Sequence, residues 1–311
     1  MANHMPSGQP AVNPSPSPAR NHASARSIAM TEKSLIEILK AHIVSGKAQL
    51  PAFDRTALVI QQEMAKPEPE MQIIEKQIIR DPALTSQLLK AANSPFYRGT
   101  VEVTTVRNAI VRLGLAEVSN LVTMLVQRKT FTSTEPFIKE HMNQLWLHSV
   151  VCAMGAKWLA RECRLPGLIN EAFFAGLLHD IGKAFLLVAI GNLRAGGQMP
   201  TDIPQPFIEE VLASLHPAMG AQLLTLWNLP EIYCRVARHH HDATFAEDDT
   251  VLIMVSLANK ALAKRGIGVP QVPGLNLASS PEAALLHLSE TTLAELELAL
   301  ENHVFFVRGM D

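Results

Sequence analysis

What most constrains this chain is a succession of short apolar stripes at helical spacing, each closed by a capping or helix-breaking residue before the next begins. Leu35, Ile36, Ile38, Leu39 and Ile43 recur at that spacing, with Thr31 placed to cap the helix and Ser45-Gly46 to end it. After the Leu50-Pro51 turn, Leu58, Val59 and Gln62 mark a second helix, which Pro67 and Pro69 break. Ile73, Ile74, Ile78 and Ile79 form a third stripe over Met71 to Arg80. Asp81-Pro82 then joins a side-chain cap to a proline at the first helical position, where a missing N–H has no cost. That helix runs to Ala92 and the Asn93-Ser94-Pro95 turn, and is followed by Val106 to Leu113, Gly114, and Leu115 to Arg128. Strict apolar/polar alternation, the mark of a half-buried strand, is scarce. The expected fold class is all-α.

The second half continues the pattern. Lys129 to Pro136 reads as a connection, and Gln144 to Arg161 as a long amphipathic helix bearing Trp146, His148 and Trp158. Asn170 is expected to cap Glu171 to Leu178, Pro206 to Trp227 to form a pair of turns broken by Pro217, and Pro230 to lead into His239-His240-His241. Val251 to Ala263 is an apolar helix. Gly266 to Ser280 is loop, Ser280-Pro281 starts another helix, and Thr292 with Glu295 makes a capping box for the last.

Composition narrows the function classes. With 48% apolar residues in 311, the chain can bury a substantial core, in one large domain or two smaller ones. A net charge of -2 supplies no field for nucleic acid or an anionic membrane, so neither is an expected partner. Cys152, Cys163 and Cys234 lack C-x-x-C spacing and read as buried free thiols, which suits a reducing cytoplasm. The longest apolar run, Ala184 to Ile190, is too short to span a bilayer. Residues 1–29, rich in Pro, Ser, Ala and Asn, are expected to be a disordered leader rather than a signal peptide.

The chemistry gathers in the histidines. Of 12, His148, His179, His216, His240 and His241 lie on or beside helices of the second half, and Asp180 adjoins His179. Neutral imidazole and carboxylate are ligand types that first-row divalent metals accept, and a carboxylate can bridge two ions. A lone histidine on an apolar helix is more often a hydrogen-bonded core residue, and only the ordered series points to a site.

The segment Leu177-Leu178-His179-Asp180-Ile181-Gly182-Lys183 resembles the H-D-I-G-K signature of the HD superfamily of metal-dependent phosphohydrolases. That family's order is an early His, a His-Asp pair, a His followed by Pro and Gly, a His-His pair and a distal Asp. Here His148, His179-Asp180, His216-Pro217-Ala218-Met219-Gly220 and His240-His241 match it. Upstream, Leu50-Pro51-Ala52, Arg80-Asp81-Pro82-Ala83-Leu84, Ala91 to Tyr97 and Val111-Arg112-Leu113-Gly114 resemble the first half of HDOD domains, HD-related output domains of bacterial signalling proteins. The resemblance covers about residues 45–245. It implies two packed helical lobes, about 31–135 and an HD-like 136–265, with 266–311 as a loop and helical extension.

It also implies metal ligands at His148, His179, Asp180, His216, His240 and His241, with His239 facing solvent or lying behind them. Two departures bear on activity. Asn259 stands where HD hydrolases carry their last Asp, and Asp242-Ala243-Thr244 follows His241 in place of a G-Y-P triplet. With Asp180 the one matched carboxylate, and only Asp242 or Glu171 as further acidic candidates, a single divalent ion (Fe, Mn or Zn) or none is expected. Two functions stay open. One is a cytoplasmic regulatory protein acting through a signalling partner or a small phosphorylated ligand, with self-association undecided. The alternative is a metal-dependent phosphohydrolase of a phosphomonoester or cyclic nucleotide, in which Asp180 and Lys183 would be catalytic, Lys183 pairing with a phosphoryl oxygen one turn along the same helix. Lys183 reads equally as an exposed residue at a helix C-terminus. Arg107 and Arg112 could hold an anion or simply face solvent, and Phe96 and Tyr97 are placed for the lobe junction.

Overall fold

In the computed structural model, residues 1, 32–44, 53–97, 99–200 and 203–309 are described. The leader, Thr31, Ser45-Gly46 and Leu50-Pro51 lie outside them. Among the described residues are fourteen α-helices, three short 3-10 helices and no strand. The all-α expectation holds.

Helix α1 (Glu32–Val44) precedes α2 (Arg55–Met64), α3 (Met71–Ile79), α4 (Pro82–Ala92), α5 (Val106–Leu113) and α6 (Leu115–Gln127). Their starts are fixed by side-chain caps. Asp54 accepts from the N–H groups of Thr56 and Ala57, Asp81 from Ala83 and Leu84, and Thr105 from Asn108. Each satisfies helix-end donors that would otherwise be orphaned, worth about 1 kcal/mol apiece. The buried stripes Ile74/Ile78, Leu84/Leu88 and Val106/Ile110 then pack α3, α4 and α5 with α2 around α6, making the first lobe.

The second lobe is organised by α7 (Pro136–Glu162), against which α8 (Ile169–Leu178), α9 (Ile181–Ala195), α12 (Thr250–Arg265) and α14 (Glu290–Arg308) pack. Between them run α10 (Gln205–Leu226), α11 (Glu231–His239) and α13 (Pro281–Leu285). Helix α7 begins earlier than Gln144 because Pro136 occupies its first turn and Glu135 accepts from the Ile138 N–H. Helix α1 packs against α9 and α10, on the second lobe. The lobes meet where α6 touches α8, and Asn120 donates to Asn170 at 3.2 Å.

Several local expectations need correction. Asn170 lies inside α8 rather than capping it, its side chain turned to Asn120. Pro217 does not break α10, which runs through it. The last helix is capped by Ser289, which accepts from Thr292 N–H, so Thr292 is already inside it. Finally, Pro166–Ala195 is a helical run long and apolar enough to cross a membrane, but 89% of its most apolar window is buried inside the fold. Core packing accounts for that apolarity.

Candidate metal centre

The apolar run that carries the His-Asp pair is two helices. α8 ends at Leu178, and Asp180 turns the chain with φ −103° and ψ 12° before α9 begins at Ile181. This corrects the expected placing of Lys183. It does not continue the helix of His179, nor end one, but sits in the first turn of α9. There a cation faces the positive end of the helix dipole, and Asp180 offsets it: Lys183 Nζ lies 2.7 Å from Asp180 Oδ2.

Glycine sets the depth of the site. A Cβ on Gly182 would collide with the His216 carbonyl and lie 2.7 Å from Gly220 N. Gly182 and Gly220 thus let α9 and α10 approach backbone to backbone, which carries His216 to Asp180. The His216 Nε2 to Asp180 Oδ1 distance is 3.2 Å.

The structure brings together all six residues singled out in the sequence, as two groups that share Asp180. His148 and His179 Nε2 lie 3.5 and 3.4 Å from Asp180 Oδ2 and 3.2 Å from each other. On the other side His216 and His240 Nε2 lie 3.2 and 3.4 Å from Asp180 Oδ1, with His241 Nε2 at 3.2 Å from that of His216. Neither Asp242 nor Glu171 joins either group. Asp242 instead takes exposed His239, 2.8 Å away, which places His239 toward solvent.

The second contacts of these imidazoles decide what the centre can hold. His179 Nδ1 meets the Gly176 carbonyl at 2.7 Å, and His240 Nδ1 meets those of Val236 and Ala237 at 3.1 and 3.0 Å. Both use carbonyls in the last turns of α8 and α11, where the helix leaves acceptors free, although the Val236 carbonyl also takes the His240 N–H. His216 Nδ1 meets the Leu212 and Ala213 carbonyls at 2.9 and 3.1 Å. Pro217, having no N–H, leaves the Ala213 carbonyl without its helical donor. His148 Nδ1 lies 3.2 Å from the Ile267 carbonyl, in the loop after α12. Gly268 makes that loop fit. Its φ is +67°, and a Cβ there would lie 2.6 Å from the Gln144 carbonyl and 2.7 Å from His148 Cβ.

A carbonyl only accepts, so each of these four Nδ1 atoms carries a hydrogen. In a neutral ring Nε2 is then a bare lone pair. The rings of His148, His179 and His216 are neutral, because burial lowers His179 and His216 and brings His148 down to about 4. His241 is likewise lowered by burial, to about 3. Lone pairs about 3.2 Å apart repel, and buried Asp180 Oδ1 has no hydrogen-bond donor. A cation resolves both faults. Two nitrogens each about 2.0–2.1 Å from a tetrahedral ion stand roughly 3.3 Å apart, the spacing seen here. Burial alone would raise the Asp180 carboxyl, but the Lys183 ammonium beside it outweighs that and holds it well below the usual range.

An all-α protein with a cluster of imidazoles and a carboxylate, buried except at His241, that could hold a divalent metal is thus the class that fold and site define. The chain belongs to the HDOD domain family, whose sequence profile matches residues 50–243. It is 25% identical over 233 residues to an uncharacterized protein of Treponema pallidum (strain Nichols), covering 72% of this chain and 44% of that one. It is also 39% identical over 100 residues to a cyclic di-GMP phosphodiesterase of Pseudomonas aeruginosa, covering 31% and 22%. The chain spans less than half the length of these curated relatives. Among solved structures, an HDOD domain protein of unknown function from Geobacter sulfurreducens has the same fold, with TM-score 0.72 and 21% identity over 90% of this chain and 99% of that one.

Proposed function

We propose that this chain is a regulatory HDOD protein of signal transduction that acts by binding a ligand or partner, with one divalent transition metal ion held by Asp180, His216, His240 and His241. The observation that carries the reading is the Lys183 ammonium, 2.7 Å from Asp180 Oδ2. Asp180 is the single carboxylate of the cluster, and two divalent ions in a buried site need several anionic ligands. Its Oδ2, which faces His148 and His179, is already neutralised by the lysine. Its Oδ1 faces three imidazoles and has no donor. Fe, Mn and Zn all accept such a set, and a bound ion would supply Lewis acidity. Lys183 also borders a cavity of about 280 Å³ with Gln144, Leu145 and Leu212, through which a small phosphorylated ligand would reach it.

The second reading is a metal-dependent phosphohydrolase of a phosphomonoester or cyclic nucleotide, with Asp180 and Lys183 catalytic. The shared position of Asp180 between two nitrogen groups favours it, as does the likeness to the Pseudomonas phosphodiesterase. Asn259 and the missing G-Y-P triplet oppose it. Elemental analysis and nucleotide or phosphate release with added Mn or Fe, on the natural protein, Asn259→Asp and Asp180→Ala, separate the two. The expected result is one equivalent of metal or less, negligible turnover of cyclic di-GMP, and more metal in Asn259→Asp. Robust turnover that disappears in Asp180→Ala would establish the hydrolase instead.

A further inference from the structure

About three turns along α7 from His148, a second polar cluster lies at the junction of the lobes. Its cavity, about 270 Å³, is lined by Tyr97, Arg112, Glu117, Lys157, Arg161 and His303. These come from the first lobe, α7 and the C-terminal helix α14, the last beyond the part matched by the family profile. Glu117 is the one carboxylate among them. Its Oε1 accepts from the Tyr97 hydroxyl at 2.5 Å, and its Oε2 takes the Lys157 ammonium, with Arg161 3.5 Å away.

That leaves polar atoms without partners. Arg112 Nη2 donates to the Val101 carbonyl, while Nη1 is buried with no partner. His303 is only 9% exposed, and its Nδ1 is also buried without a partner. Three permanent cations against one carboxylate leave an excess of two positive charges among the described lining residues. Lys157 is buried but paired with Glu117 and Arg161 is 56% exposed, so the buried Arg112 Nη1 donor is the group that needs an anion, with Arg161 beside it as a further charge. A phosphate group brings roughly −1.5 to −2 charge and several acceptor oxygens, and so matches both the charge and the number of donors. A cavity worth about nine waters, at roughly 30 Å³ each, admits a small molecule rather than a chain.

We propose that this junction cavity binds a small phosphate-bearing ligand, either free phosphate or a phosphate monoester. The ligand bridges Arg112 of the first lobe and Arg161 of α7, beside His303 of α14. The site is independent of the metal centre. Occupancy would tie two lobes and the C-terminal helix together, as a signal-receiving site requires.

The test is isothermal titration calorimetry on the metal-free full chain with inorganic phosphate, adenosine 5′-monophosphate and adenosine. The variants are Arg112→Gln, Arg112→Lys, Arg161→Gln and, to report the metal centre, Lys183→Gln. Phosphate, the monophosphate or both are expected to bind, and their relative affinity tells which source the cavity prefers. Adenosine is expected not to bind. Arg112→Gln and Arg161→Gln should each weaken binding about tenfold, the loss of one charge-assisted contact. Arg112→Lys should recover part of it, and Lys183→Gln, which removes any phosphate binding beside Asp180, should leave the component lost in Arg112→Gln in place. Circular dichroism melts confirm that each variant folds. No heat with either phosphate ligand overturns the proposal. So does binding that survives both glutamine variants and is lost in Lys183→Gln, or adenosine binding as well as its monophosphate.

Discussion

Asp180 and Glu117 are both carboxylates largely withdrawn from water, each beside helix α7, and their surroundings are opposite. Around Asp180 stand five imidazoles, four of them with Nδ1 turned to backbone carbonyls and Nε2 inward, and a single ammonium. Around Glu117 stand a hydroxyl, an ammonium and a guanidinium, all donors. The first collection has one ammonium, Lys183, spent on Asp180 Oδ2 while Oδ1 has no donor, and the second has cations to spare. What a buried carboxylate does is therefore decided less by its own chemistry than by whether its neighbours offer electrons or hydrogens.

The comparison breaks most visibly in stability. In metal-free protein, Glu117→Gln strands Lys157, only 6% exposed, without its counterion, and is expected to cost about 3 kcal/mol. Asp180→Asn strands Lys183, whose side chain is 20% exposed and borders a cavity. It is expected to cost about 1 kcal/mol. Adding metal at a thousandfold over its Kd should stabilise the natural protein and Glu117→Gln by about 4 kcal/mol but not Asp180→Asn, so the order of the two variants reverses. Urea denaturation with and without the ion measures this. Equal stabilisation of Asp180→Asn would remove Asp180 from the ligand set.

The two clusters also differ in how far they could be read from sequence. The helices were legible wherever a cap and a stripe coincide, as at Asp81-Pro82 with Leu84 and Leu88, because those signals are local. The six residues around Asp180 were legible through a known order of residues along the chain. The end of a helix at Leu178 was legible too, but the start of α9 just after it, which puts Lys183 in a first turn, was not, since the apolar run continues without a proline. Nor was the Ile267 carbonyl, a backbone group 119 residues from His148. Of the Glu117 cluster only Tyr97, placed for the lobe junction, and Arg112, open as an anion holder, left a mark, because nothing local in the sequence ties positions 117, 157, 161 and 303 together. Arg107 shows how even that reading is: one turn earlier on the helix of Arg112, it makes an exposed pair with Glu75 at 2.9 Å. Only tertiary packing separates the two arginines.

A second contrast is in acid. Burial, helped by Lys157 and Arg161 and opposed by Glu117, lowers His303 to about 4. Its folded value is below the unfolded one of about 6.5, so the unfolded chain binds the extra proton first. Stability from keeping this ring neutral is complete above pH 6.5 and is lost as pH falls toward 4, at about 1.4 kcal/mol per pH unit. His303→Leu should remove that slope between pH 6 and 4.5 in metal-loaded protein, read from urea midpoints at each pH. An unchanged slope would mean that the ring is solvated.

The smallest effect tests the lone-pair argument itself. Binding a metal to free histidines displaces protons, and at pH 6 ordinary imidazoles with pKa about 6.5 are roughly three-quarters protonated, so three of them would release about two protons. In this fold the burial that holds His216 and His241 below their ordinary range has already removed that charge. The Nδ1 hydrogen of His216, kept by the Leu212 and Ala213 carbonyls, stays on the ring when an ion binds at Nε2. Calorimetric zinc titrations at pH 6 in two buffers of different ionisation enthalpy should therefore show fewer than about one proton released per ion. Release of two or more would mean that the imidazoles are charged before the ion arrives, and that the cluster is held apart by repulsion rather than poised for a cation.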